Sequence, residues 1–465
     1  MFYIYINNFL ELLRILVFIL LSLNIKAQTN LNIELLGRWF DNSILVNSTN
    51  VRYNDCWGIT VDNNEFAIIG STEGIHFIDL KENLTELDFV PGLHQASTVV
   101  HRDIKTYNNY VYTVCDEGTS SLQIIDASHL PDSVHMVNEL YDEFVNVHNI
   151  FIDTLNALLF SCGPLVDEFA SQLQRKLIVY SLSDPVNPVK VWQPDPGNFP
   201  YVHDCYVRNG VAYLSCGDDG LRVYDFSDPS NPQFLQNITA YQDQGYNHQG
   251  WMKPDGSEFI FADETNGKRI KRCSVNNNQL TIDSYFGTNV SNGSIPHNIM
   301  LSNNFAYVAY YNEGLRIYDI SESVTREVAH FDTFPDDSNF KMEGAWGIYS
   351  LLNSGKLIVS DRTYGLFVFD FNEELFSTND DQIISVFPLP GNKNGITVKL
   401  NDLSPTKIGL RLIDSNGQLI HEESILNQSY TILDNKYAPG IYFLIVEYED
   451  WKGDAQLKHI KILFD

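Results

Sequence analysis

Five histidines recur at near-even intervals, His101, His148, His203, His248 and His297, each opening a short run: HRDI, HNIF, HDCY, HQGW and HNIM. Tryptophan stands at the corresponding places before and after them, Trp57 in CWGI and Trp346 in WGIY. The seven positions are 44, 47, 55, 45, 49 and 49 residues apart. Further along each unit comes a loop that is nearly always acidic: Glu73, Asp116 and Glu117, Asp167 and Glu168, Asp218 and Asp219, Asp263 and Glu264, Glu313, and Asp361. Imidazole and carboxylate together suit a divalent metal, calcium or a transition metal, or a cationic ligand. With a metal in place the same groups would support hydrolysis or elimination, with Asp218 or Asp263 as the base. The spacing is far from a compact His-x-x-x-His motif, so the fold must gather these residues. Two other uses stay open. A repeated histidine can bond a neighbouring unit's carbonyl and keep the repeat's geometry, and Trp57 and Trp346 can either pack a core or form a platform for a sugar or aromatic ligand, with Asp116 and Asp361 beside it.

Residues so far apart meet only if a repeated unit carries them. Val202 to Pro232 displays that unit: strands Val202 to Val207, Val211 to Cys216 and Leu221 to Phe226, separated by Asn209-Gly210 and Asp218-Asp219-Gly220. Asn-Gly and Asp-Gly between β-branched and aromatic runs signal tight hairpins, because a primed turn needs positive φ. Asp-Pro-Ser-Asn-Pro then ends the third strand, since proline donates nothing to a ladder. That third strand returns as IHFIDL, LQIIDAS, LIVYSLS, LRVYDFS, IKRCSV, LRIYDIS and LFVFDF. Units of four strands at roughly 40 to 50 residues are propeller blades. The reading is an all-β chain with a seven-bladed β-propeller, its first strands innermost, and the histidines and tryptophans ringing one mouth of the channel.

Fourth strands follow in TELDFV, HMVNELY, VKVWQP, QFLQNI and REVAHF, but none follows LFVFDF. The stretch Asn32 to Trp39 is expected to complete that last blade and remove an open edge. The insert Gly163 to Lys176 in blade three is the main departure from the repeat, and such loops are where propellers carry specificity.

The first 27 residues carry an apolar run, Leu12 to Leu23, and a small residue at Ala27, the pattern of a cleaved secretory signal. Against 30 basic residues stand 59 acidic ones, a net charge of −29 spread along the chain. Such a surface repels phosphate backbones, which argues against nucleic acid as a partner, and attracts cations. Of the six cysteines, Cys115, Cys162 and Cys216 fall at the end of the second strand in successive units, where Gly70, Ala262, Ala309 and Ser360 stand in others. A column of small residues fits crowded strands near an axis, so packing is the first reading; a disulfide from Cys205 to another strand stays open. There is neither a Gly-x-Ser-x-Gly elbow nor a Walker-type glycine loop.

Repeats such as LRVYDFSDPSNP, LRIYDIS and LQIIDAS resemble the LVIVD-repeat propellers of the choice-of-anchor B group, over about Trp39 to Phe371. The resemblance implies fold and location, not a reaction. From Ile383 the chain reads as alternating strands with Ser-Asn-Gly and Pro-Gly turns, a small Ig-like β-sandwich of six or seven strands. This part is similar to the type A sorting domain of the type IX secretion system, in Asp414 to Gly417, Pro439-Gly440-Ile441-Tyr442 and Lys458 to Phe464. FPLPGNK stands where that family usually has Tyr-Pro-Asn-Pro. The implied organisation is signal peptide 1–27, propeller 28–371, linker 372–382 and sorting domain 383–465. The implied destination is the medium or outer-membrane surface of a Gram-negative bacterium, with the secretion machinery as partner of 383–465. The expected role is a binding scaffold for an extracellular protein or glycan; the alternative is a metal-dependent hydrolase or lyase at the channel mouth.

Overall fold

The computed structural model describes residues 30–464 except 48–49, 82, 142, 167–175, 196–198, 289–292, 336–341, 374–383, 393–394, 401–407, 416, 426–429, 434–437 and 450–454. The expected signal segment lies outside the described residues, as do Asp167, Glu168 and most of the blade-three insert and linker. The chain divides into two compact units, with the boundary between Phe371 and Asn372.

In the first unit the repeat folds as seven antiparallel sheets. Their first strands are Tyr53–Val61, Arg102–Tyr107, Asn149–Asp153, Asp204–Arg208, Asn247–Met252, Ile299–Leu301 and Ala345–Tyr349. Each touches the next and the last touches the first, so they form the inner wall of a closed ring. The turns follow the sequence chemistry. Asn209 and Gly210 both have positive φ, 53° and 81°, in the hairpin that pairs Arg208 with Val211. The aspartate at the end of the third strand caps its own exit: Asp126 Oδ1 accepts from Ser128 N, Asp225 Oδ1 from Ser227 N and Asp319 Oδ1 from Ser321 N, each at 2.8 Å. This side-chain turn draws the chain out of the ladder toward the fourth strand.

Both faces of each sheet are apolar because each packs on two neighbours. Between blades one and two, Phe66, Ile68 and Phe77 meet Ile104, Val111 and Ile125, all fully buried. Each such side chain contributes about 1.5 to 3 kcal/mol, which makes the blade interfaces the core.

The ring closes as expected, and further. Glu34–Trp39 pairs antiparallel with Gly365–Asp370, Trp39 opposite Leu366, as the fourth strand of blade seven. The chain ahead of it, Asn30–Leu31, adds a fifth strand to blade six, with Leu31 opposite His330. One N-terminal segment therefore clasps two blades.

The thiol column is out of register by one residue. Cys115 pairs with Arg102 and Cys162 with Asn149, but in blade four Asp204 faces Ser215, which leaves Cys216 beyond the ladder.

In the second unit seven strands form two sheets that share Ile384–Asn392, antiparallel to Gly395–Leu400 and parallel to Ala455–Phe464. Leu410, Leu412, Tyr442, Leu444, Val446 and Ile462 are buried, and the alternation along Gly440–Glu449 points one face inward.

Candidate metal centre

Each histidine sits at or just before the start of an inner strand, so the closed wall brings all five to one mouth. Their rings and that of Trp346 make an unbroken circle of contacts. Centroids are separated by 5.3 Å for His101 and His148, 4.3 Å for His148 and His203, 4.4 Å for His203 and His248, and 4.3 Å for His248 and His297. His297 lies 4.1 Å from Trp346, which returns to His101 at 5.5 Å. The space between this ring and the next layer of the channel is ≈ 20 Å³, room for one ion or water and not for an organic group.

Trp57 is not in the circle. It lies four residues into its strand, opposite Ile68, whereas Trp346 is the second residue of its own, so the shared WGI letters sit at different depths. Trp57 packs on Tyr349 at 4.8 Å, and its Nε1 donates to Thr106 Oγ1 at 3.1 Å. The expected pair of tryptophans across the seam is therefore not a platform. Trp346 instead stacks under the Arg362 guanidinium at 4.3 Å.

The loops after the second strands deliver carboxylates to the ring. His148 Nδ1 bonds Asp116 Oδ2 at 2.9 Å, across the junction of blades two and three. His101 Nδ1 bonds Glu117 Oε1 at 2.7 Å. Two others donate to backbone: His203 Nδ1 to the His248 carbonyl at 3.2 Å and His297 Nδ1 to the Trp346 carbonyl at 2.7 Å. This network assigns the Nδ1 protons and leaves Nε2 of His203 and His297 with bare lone pairs. His297 Nε2 is buried without a hydrogen-bond partner, 3.9 Å from Glu264 Oε1. Glu264 Oε2 is also 3.9 Å from His248 Nε2, and Glu264 accepts from the Tyr311 hydroxyl. Ligand atoms of His203, His248 and Glu264 all lie within 4.8 Å of one another.

Burial and the charges of neighbouring imidazoles hold His203 well below its ordinary pKa. Burial takes His248 down to about 4 despite Glu264. Burial and the His248 charge also depress His297. His148 moves the other way: burial opposes its charge, but the Asp116 hydrogen bond and carboxylate outweigh it. His148 Nε2 stands 2.8 Å from His203 Nε2, and the opposite directions of the two shifts favour the proton on His148.

The other sequence candidates are placed apart from the ligand set. Asp263 is wholly buried, paired with Lys271 at 2.8 Å, and accepts from Tyr241 Oη and Gly245 N, so its oxygens are committed and it is no base. Asp361 accepts from Thr363 N, Tyr364 N and Thr333 Oγ1 and holds a turn; burial raises its pKa to about 6. Asp218 is an exposed turn residue.

Sequence reading missed the layer beneath the ring. Lys105 Nζ donates to Asp103 Oδ1 at 2.6 Å, lies 3.7 Å from Asp55 Oδ2, and sits 4.4 Å over the Trp57 ring. Burial pushes Asp55 well above the carboxylate range and Asp204 up to about 7, with Lys105 opposing both shifts. Asp103 and Lys105 in HRDIK, charged residues alternating along a strand predicted to be innermost, were the available signal.

The fold and its second unit define a class, a closed seven-bladed propeller carried ahead of a small sorting module. Residues 197–240 and 295–332 match the LVIVD repeat, and 385–457 match the secretion system C-terminal sorting domain. The chain thus carries LVIVD repeats in its propeller and a secretion-system sorting domain after it, which indicates export by type IX secretion to the medium or the cell surface. Among solved structures it is similar to the WD40 repeats of RRP9, with TM-score 0.51 and 10% identity over 74% of this chain and 100% of that one, a likeness of fold alone. No curated protein matches it.

Proposed function

We propose that the exported propeller binds one transition-metal ion at its channel mouth, and that this bound ion is the centre through which it engages its extracellular ligand. The observation that carries this reading is the convergence of His203, His248 and Glu264 donor atoms within 4.8 Å, with His148 Nε2 against His203. The outer partners of two of these histidines support it: metal-ligating imidazoles almost always give their other N–H to a carboxylate or carbonyl, as His148 and His203 do here. Nitrogen donors favour zinc, copper or nickel; calcium asks for six to eight oxygens.

The test is elemental analysis and zinc titration of the full-length protein beside a His148→Ala/His203→Ala/His248→Ala variant whose fold is checked by circular dichroism. One equivalent of metal in the parent, lost in the folded variant, is expected. A parent that takes up no stoichiometric metal refutes the reading. A second reading, metal-assisted hydrolysis, is favoured by the donor count. Two histidines and one carboxylate are the ligand number of catalytic zinc, which keeps a position for water. Turnover of ester, phosphoester or glycoside panels by the zinc-loaded protein, abolished by Glu264→Gln, would establish it.

A further inference from the structure

We propose that Cys162 and Cys205 are joined as a disulfide in the exported protein, stapling blade three to blade four directly behind the His148–His203 pair. Cys162 ends the second strand of blade three, opposite Asn149, and Cys205 lies in the first strand of blade four, opposite Leu214. Those two strands, Leu158–Cys162 and Asp204–Arg208, pack against each other, and the two thiols, both free in this structure, are neighbours across the blade interface. The remaining cysteines have other surroundings. Cys56 donates to the Ile358 carbonyl at 3.8 Å, Cys115 to Glu117 O at 3.5 Å and Cys216 to the Leu214 carbonyl at 3.5 Å, while Cys273 packs among Phe259 and Phe261. Only one pair therefore faces itself.

The sorting domain sends the chain through an oxidising compartment, where such pairs close and persist. The oxidant is a disulfide-bearing thiol oxidase or small-molecule disulfide. A thiolate of one cysteine attacks its sulfur, and the second cysteine then displaces it. The two cysteines give up two protons and two electrons, and the oxidant takes up both and leaves as a dithiol or two thiols. Timing follows from burial. Both side chains are enclosed in the folded ring, at 0% and 5% exposure, out of reach of an external thiol or disulfide. Exchange is therefore slow once the blades have docked. The bond forms while blades three and four are still coming together, and it is then shielded from reductant. Cys162 pairs with Asn149, the residue after His148, and Cys205 lies two residues past His203, so the staple ties the hairpin that carries His148 to the strand that follows His203.

The full-length protein, exported through an oxidising periplasm and purified without reductant, is unfolded in denaturant with an alkylating agent, digested and mapped by mass spectrometry. A peptide pair linked through Cys162 and Cys205, with the other four cysteines alkylated, is the expected result. The native protein should keep the link under reductant that cleaves it readily once unfolded. Alkylation of both Cys162 and Cys205 in the unreduced sample, or Cys205 linked to Cys216 instead, overturns the assignment. A Cys162→Ala/Cys205→Ala variant should melt several degrees below the oxidised parent and at the temperature of parent refolded in reductant. A variant melting with the oxidised parent would equally overturn it.

Discussion

Asp116 offers the sharpest test of the metal reading because it touches the ring without being a ligand. Its Oδ2 holds His148 Nδ1 at 2.9 Å, so Asp116→Ala leaves every donor atom in place and removes what orients one of them. Loss of an outer-shell carboxylate typically weakens a metal about 10- to 100-fold, or about 1.4 to 2.7 kcal/mol. A second effect has the opposite sign. Asp116 raises the proton affinity of His148, and its removal eases competition between proton and metal. At pH 8 that competition is weakest and the loss of orientation dominates. The assay is competition of the full-length protein against a chromophoric zinc chelator at pH 8 and fixed ionic strength. Asp116→Ala is expected to lose affinity by about one to two orders of magnitude, and Asp116→Asn by less, since its amide oxygen still accepts from Nδ1. His203→Ala should lose more than either, and Asp218→Ala, on its exposed turn, nothing. Unchanged affinity in Asp116→Ala beside a large loss in His203→Ala would remove His148 from the ligand set and leave His203, His248 and Glu264. Unchanged affinity in all of them would make the ring architecture.

Three further outcomes follow from the geometry. Asp263→Ala leaves Lys271 charged and without its carboxylate in a site of 0% exposure, which should cost about 3 to 5 kcal/mol in denaturant melts while the folded fraction binds zinc as the parent does. Deleting residues 30–39 uncovers the edge of Gly365–Asp370 and removes buried Trp39, worth about 3 to 5 kcal/mol by itself. Calorimetry and size exclusion should show a lower melting temperature and association, and a monomer with the parent's melting temperature would refute closure by that strand. Asp361 has a folded pKa of about 6 against an ordinary 3.8, so the fold favours its protonated form. Its contribution is present below about pH 4 and is lost as pH rises through 6. The stability gap between the parent and Asp361→Asn should shift by on the order of 3 kcal/mol between pH 4 and 7, always against the parent as pH rises. A gap that is flat with pH would refute it.

The propeller was legible because its signals are local and repeated. Asn209-Gly210, the Asp-x-Ser exits and alternating apolar strands each state their own geometry, and seven copies average out exceptions such as the Ser181 exit of blade three, where Ser181 Oγ takes over the cap from Ser183 N at 3.2 Å. The closing strand was legible by elimination, from a blade lacking its fourth. Depth along the channel was not. Trp57 and Trp346 share Trp-Gly-Ile, and only the early start of Tyr53–Val61, with its bulge between Tyr53 and Cys56, separates their levels. The roles of the acidic loops were equally hidden. Asp116, Glu117 and Glu264 reach imidazoles, whereas Asp263 and Asp361, from the same column of the repeat, turn back to Lys271 and to backbone amides. Which way a loop carboxylate faces depends on cations and amides supplied by other segments, and no spacing records that.

That difference also weighs the two meanings of the histidines. If the ring existed to hold blades together, every blade would need its imidazole. Blade one borders the ring cavity with Asp55 and gives no ring to the circle, and blade seven gives an indole, yet both keep the four-stranded antiparallel pairing of the repeat. His203 and His297 do tie neighbouring blades through the carbonyls of His248 and Trp346. Those bonds use Nδ1 alone. Architecture needs no second nitrogen, and burying His297 Nε2 without a hydrogen-bond partner beside Glu264 carries a desolvation cost that an apolar ring would avoid. In the proposed reading an ion drawing on the inward Nε2 atoms and on Glu264 would offset that cost, which the tie between blades leaves standing.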